Sequence, residues 1–182
     1  MDRFLSRVPS CVGEGVQFGR GSRLSISFDS STSVAMNSPP IKPRTRRKRG
    51  VVGVIFRQER LLIIRRSLTV TAPGKLCLPG GAIENGESEE QALVREMQEE
   101  LSIDVLPLCL CYRSVTSWGT NLAWWHADLH SKQSPQANPA EVADVFWMSR
   151  DEVRSATDLL PSLPPFLIAW ERGEIELDCN WC

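Results

Sequence analysis

In the stretch GAIENGESEEQALVREMQEELSI, Gly81 to Ile103, one arginine and three glutamates stand together as Arg95, Glu96, Glu99 and Glu100. Carboxylates gathered in this way are oxygen ligands of the kind that hard divalent cations take, and Mg²⁺ or Mn²⁺ would keep open positions for water and substrate phosphates. Like charges at helical spacing repel and destabilise the helix that carries them. Something must offset that repulsion, and a bound cation does so; a solvated acidic face is the alternative reading of the same residues.

The chemistry depends on which face of a helix each side chain occupies. Ser88 follows the Asn85-Gly86 turn and has Gln91 three residues later, the pattern of a capping box. Alanine, leucine, methionine, glutamate and glutamine dominate beyond it, and Val94 is the sole β-branched residue before Leu101. Leu93, Met97 and Leu101 recur every fourth residue with Val94 beside them, which predicts an apolar stripe packed on a core. At about 100° per residue, Glu96, Glu99 and Glu100 fall within an arc of roughly 100° bordering that stripe. The three carboxylates are therefore expected at the edge of the core.

Gly81, Glu87, Arg95-Glu96 and Glu99-Glu100 at these separations resemble the box of the Nudix hydrolase family, in its MutT-like branch. One position departs: the family's glycine after the glutamate pair is Ser102 here. The resemblance implies an α/β fold, an α/β/α sandwich around a mixed β-sheet. It implies Glu99 and Glu100 as metal ligands, Glu96 as a ligand or as the base that activates water, and Arg95 paired with Glu87 to orient the cluster. Gly80 in Leu78-Pro79-Gly80-Gly81 matches the position whose backbone carbonyl also binds metal. Glu141, in EVADVFWMSRDEV, matches an extra ligand of MutT-type members, although a loop carboxylate exposed to water would read the same way. The implied cofactor is Mg²⁺ or Mn²⁺. The implied reaction is hydrolysis of a phosphoanhydride bond in a nucleoside diphosphate linked to another moiety, such as a (d)NTP or an ADP-ribose-type compound. A catalytically idle ligand-sensing or nucleic-acid-interacting relative is the second reading; such a module is expected to lose Glu96, Glu99 or Glu100, and this chain keeps all of them.

Arg65, Arg66 and Lys75 lie before the box and are candidates to meet substrate phosphates, with a plain surface cation as the alternative for each. Trp118, Trp124, Trp125, Trp147 and Phe166 offer surfaces for stacking a base; strand alternation places Trp124 and Trp125 on opposite faces, so at most one of the pair can line a pocket. Trp147 is expected to pack inward. Pro164 stands where MutT-type enzymes carry the asparagine that reads oxidised guanine, and neither the tyrosine of dinucleoside polyphosphate hydrolases nor the SQPWPFPxS signature of NADH pyrophosphatases is found.

The elements around the box follow from pattern. Val51 to Arg57 and Leu61 to Arg66 read as strands of a hairpin, and Leu76 to Leu78 leads into the glycine turn. Ile103 to Val115, Asn121 to Leu129 and Val142 to Met148 read as further strands. A short helix capped by Ser149 and a last helix beginning at Pro164 or Pro165 complete the pattern.

At 182 residues the chain has room for one domain and extensions. Residues 1–50 hold ten Lys and Arg against Asp2, Glu14 and Asp29, which leaves eleven against nineteen acids for the remainder. An acidic folded part argues against a broad duplex-binding surface there. Residues 1–49, rich in Ser, Arg and Pro, are expected to be a disordered extension, a targeting segment or the product of a mis-assigned start, and the run Arg44 to Arg49 is the place where nucleic acid could be met. Residues 50–178 then form the domain and 179–182 a short tail. Apolar runs are too short for a membrane span or a secretory signal, so a small nucleotide-type substrate, no membrane partner and a cytoplasmic setting with reduced thiols are expected. Cys109 and Cys111 read as strand residues, the Cys179 and Cys182 pair lacks a second metal-binding pair nearby, and His126 and His130 read as structural.

Overall fold

The computed structural model describes residues 47–130 and 132–177, which contain six strands and three helices: β1 (Arg49–Arg57), β2 (Arg60–Arg66), β3 (Leu76–Cys77), α1 (Glu89–Leu101), β4 (Val105–Val115), β5 (Asn121–Leu129), β6 (Val142–Met148), α2 (Arg150–Ser155) and α3 (Leu163–Glu171). The basic run up to Arg46 and the C-terminal cysteine pair lie outside the described residues. Arg49, the last residue of the expected extension, belongs to β1 because it pairs with Asn121, whose amide also donates to the Lys48 carbonyl at 2.9 Å.

The sheet is mixed. β1 runs parallel to β5, and the other pairings are antiparallel, β4 with β5 and β2 with β1, β3 and β6. Gln58 and Glu59, both at positive φ, make the two-residue turn between β1 and β2. The expected hairpin holds only at that turn: β1 and β2 pair at Phe56 with Leu61 and at Arg57 with Arg60, and then diverge. The chain from Leu76 to Ile83 fills the fork. Its first part pairs with β2 through Cys77 and Leu76, and its second with β1, where Gly53 N–H donates to the Pro79 carbonyl and Val51 N–H to the Gly81 carbonyl, each at 2.9 Å. Backbone amides that β2 would otherwise have satisfied thus fix the glycine pair at the centre of the sheet.

Alternation along the strands divides the core into two layers. Val51, Ile55, Leu62 and Ile64 pack with Leu93, Met97 and Leu101 of α1 on one face. Val54, Leu61, Ile63 and Trp124 pack with Val153 of α2 and Phe166 and Leu167 of α3 on the other. This is the expected α/β/α arrangement around a mixed sheet. Gly53 lets α1 approach, since a methyl there would lie 3.1 Å from Leu93 and 3.4 Å from Met97. The α3 helix starts at Leu163, with Pro164 and Pro165 inside its first turn, where missing N–H groups cost nothing.

Candidate active site

The capping box is formed at the start of α1: the Ser88 hydroxyl accepts from Gln91 N–H at 3.2 Å and the Gln91 side chain accepts from Ser88 N–H at 2.9 Å. At the other end Ser102 adopts the left-handed conformation with φ 54°, and its N–H turns back to the Gln98 carbonyl at 3.0 Å. The serine thus takes the conformation that glycine adopts most readily, and the exit tucks buried Ile103 under the helix, so that β4 begins two residues later than expected.

Between these caps, Glu96 and Glu100 are turned inward and are 6 % and 3 % exposed. Glu100 accepts from Gly80 N–H at 2.9 Å. The Glu96 carboxylate lies against Gly81 so closely that a Cβ at that position would stand 2.4 Å from it. Gly80, at φ 143°, has Val51 O where its own Cβ would be, 2.2 Å away. Gly80 is therefore required by its contact with a backbone, whereas a side chain at Gly81 would displace the Glu96 carboxylate. Glu141, reaching in from the loop before β6, completes a group in which one oxygen from each of Glu96, Glu100 and Glu141 lies within 4.8 Å of the others.

Arg95 binds the rim of this group. Its Nε and Nη2 donate to the two oxygens of Glu87 at 2.9 and 3.0 Å, its Nη1 to Glu96 at 2.8 Å and Glu99 at 2.9 Å, and its Nη2 also to the Ala82 carbonyl at 2.8 Å. The guanidinium fork is filled. Hydrogen bonding to Arg95 holds Glu87 below the usual carboxylate range, and the Glu87 contact in turn raises Arg95. Glu99 stands apart from the inward group, with its side chain 51 % exposed.

Burial pushes the Glu100 carboxyl up to about 8; the Gly80 N–H and the Arg66 charge oppose that rise, and the charges of Glu96 and Glu141 add to it. Burial also raises Glu96, against the hydrogen bond and charge of Arg95. Carboxylates crowded out of water in this way are a poor arrangement for the bare protein and a fitting one for a hard cation, because each supplies the anionic oxygen such an ion takes. The donor set fits Mg²⁺ or Mn²⁺.

The residues expected to meet substrate are divided by the sheet. Arg66 lies on the α1 face, donates to the Thr71 carbonyl at 2.8 Å and is felt by both Glu100 and Cys77. Arg65 points to the opposite face, pairs with Asp158 and Gly74, and sits over the Phe146 ring at 5.8 Å. Lys75 is half-buried and contributes to holding Asp158 below its usual range, behind the larger effect of Arg65. Trp124 stacks on Phe166 with centroids 4.5 Å apart, and Trp125 faces the other way to donate to Glu89 at 3.1 Å. Trp147 packs into the α1-side core beneath Arg57, and Trp118 is exposed in the β4–β5 turn. The open cleft beside Gly80 and Gly81 is lined instead by Lys48, Gly50, Val52, Thr120 and Leu122. Sequence reading missed these residues; parallel pairing of β1 with β5 brings them together, and no local pattern announces it.

The NUDIX domain family model matches residues 46–169. The chain belongs to the NUDIX family. The 8-oxo-dGTP diphosphatase of Escherichia coli K12 is 32 % identical over 116 residues, 59 % of this chain and 88 % of that protein. The CTP pyrophosphohydrolase of the same strain is 31 % identical over 106 residues, 56 % of this chain and 76 % of that protein. Among solved structures, the MutT protein of Methanosarcina mazei superposes with a TM-score of 0.61 at 21 % identity, over 70 % of this chain and 94 % of that one, a likeness of fold. This protein is a Nudix hydrolase.

Proposed function

We propose that this Nudix hydrolase cleaves a phosphoanhydride bond of a nucleoside diphosphate linked to a further group, with a nucleoside triphosphate as the leading substrate and Mg²⁺ or Mn²⁺ as cofactor. The observation that carries the reading is the convergence of Glu96, Glu100 and Glu141, from two separate segments of chain, within 4.8 Å beside the glycine pair. The two Escherichia coli relatives named for nucleoside triphosphates support that substrate class; Pro164, where MutT-type enzymes have an asparagine, argues against selection of oxidised guanine.

Glu96, Glu100 and Glu141 would hold the cation, with Glu99 on the open side and the Gly80 carbonyl as further ligands. When bound, the cation neutralises phosphate oxygens and lowers the pKa of a coordinated water. Glu96 is assigned as proton acceptor, since Arg95 Nη1 holds one of its oxygens at 2.8 Å at the edge of the carboxylate group. Arg95, by filling its donors on Glu87, Glu96 and Glu99, fixes the acceptor's direction. Arg66, beside Glu100, is assigned to the phosphates; Arg65 and Lys75, grouped around Asp158, would act on substrate only after leaving that carboxylate. The cleft lined by Val52 and Leu122 would receive the nucleoside. A cytoplasmic setting is proposed with it, in keeping with the buried thiol of Cys77.

The test is a panel of nucleoside triphosphates and ADP-ribose with Mg²⁺ or Mn²⁺, with products separated and identified. Monophosphate plus pyrophosphate, lost on addition of chelator, is the expected result. Absence of hydrolysis across the panel with either ion would overturn the reading.

A further inference from the structure

The end of α1 leaves its last carbonyls without helical partners, as every helix does. Here those of Glu99, Glu100 and Leu101 are taken by the loop after β5: Asn138 Nδ2 donates to the Glu99 carbonyl at 3.0 Å, Asn138 N–H to the Glu100 carbonyl at 2.9 Å, and Gln136 N–H to the Leu101 carbonyl at 2.8 Å. The same asparagine organises the chain that follows it. Its Oδ1 accepts from Ala140 N–H at 3.2 Å, and its carbonyl accepts from Glu141 N–H at 3.0 Å and Val142 N–H at 2.8 Å.

Asn138 therefore grips two successive box residues on one side and the backbone of Glu141 on the other. We infer that Asn138 is a positioning residue of the metal site, fixing the loop carboxylate Glu141 in register with Glu96 and Glu100 on the last turns of α1. The inference rests on the assignment of Glu141 as a ligand. Ala137 packs the loop on the α1-side core and Ser67 N–H donates to the Glu141 carbonyl at 2.8 Å, yet an ion needs the carboxylate within a fraction of an ångström of its place relative to α1 itself. Hydrogen bonds to the helix end supply that precision. The loop is also anchored, separately, at Gln133, whose side chain accepts from Asp104 N–H at 2.7 Å and donates to the Asp104 carbonyl at 3.2 Å. That anchor touches no residue of the carboxylate group, and so it separates loss of loop order from loss of register.

The experiment is Mn²⁺ titration of the full chain without nucleotide, read from the electron paramagnetic resonance signal of free Mn²⁺, for the wild type, Asn138→Ala, Glu141→Gln, the double variant and Gln133→Ala. Outer residues that orient metal ligands typically affect affinity by about 10- to 100-fold. Asn138→Ala is expected to weaken Mn²⁺ binding by about tenfold, to add less than twofold once Glu141 is already glutamine, and to differ from Gln133→Ala, which retains wild-type affinity. Should Asn138→Ala not fold, Asn138→Ser takes its place, since its hydroxyl can still accept from Ala140 N–H but does not span to the Glu99 carbonyl. Equal weakening by the Asn138 substitution in both backgrounds, or the same loss in Gln133→Ala, overturns the inference while the metal site stands. If Glu141→Gln itself leaves Mn²⁺ affinity unchanged, the ligand assignment fails first and the role of Asn138 with it.

Discussion

At the scale of single residues, Glu96 and Glu99 differ in what surrounds them although both bond to Arg95. On a helical wheel Glu100 lies nearest the apolar stripe and Glu99 farthest from it, so packing α1 on the sheet buries Glu100 and Glu96 and leaves Glu99 toward water. Glu100→Gln is accordingly expected to reduce kcat at least as much as Glu96→Gln, by about 10²-fold or more, and Glu99→Gln to cost less, as measured under saturating Mg²⁺. The glycines separate folding from chemistry. Gly81→Ala meets only the carboxylate end of Glu96, a side chain that can swing aside without moving backbone, so it is expected to fold with little change in Tm and to lose at least about tenfold in kcat. Gly80→Ala meets the Val51 backbone at a φ that side chains rarely adopt, and is expected to destabilise by several kcal/mol in urea unfolding.

At the scale of elements, α1 is secured by its two ends. Ser88→Ala removes the cap hydroxyl and is expected to cost about 1 kcal/mol, whereas Ser102→Gly relieves a left-handed serine and is expected to stabilise by about 1 kcal/mol with kcat unchanged; thermal unfolding checks both. This helix was legible in advance because its cap, its four-residue stripe and its carboxylates are all local signals. The β1–β2 pair was legible only in part. Its residues alternate as strand residues should, and nothing in them discloses that Val51 and Gly53 give their amides to Gly81 and Pro79. Arg65 and Arg66 were readable as cations before the box, but strand alternation sends them to opposite faces, and the partner that occupies Arg65, Asp158, is 93 residues away in sequence. The same distance rule hides Asn138, which follows by 39 residues the Glu99 whose carbonyl it meets at the end of α1.

At the scale of the whole molecule, the buried carboxylates link stability to pH and to metal. Glu100 binds its proton more tightly in the folded chain, with its carboxyl raised to about 8, than an unfolded glutamate does at about 4.3. The folded state thus holds more protons across that interval, and metal-free protein is expected to lose stability, on the order of a few kcal/mol, as pH rises from about 4.5 to about 8. Chemical denaturation with chelator present should show the decline, Glu100→Gln should flatten it, and Mg²⁺ should reverse it at the alkaline end. The wedge between β1 and β2 carries a last implication. Because the amides of Val51 and Gly53 are tied to the very peptides that border Glu96 and Glu100, their exchange with deuterium becomes a gauge of site occupancy: an ion that clamps the glycine turn would slow both protons together, in the middle of a sheet, without touching either residue.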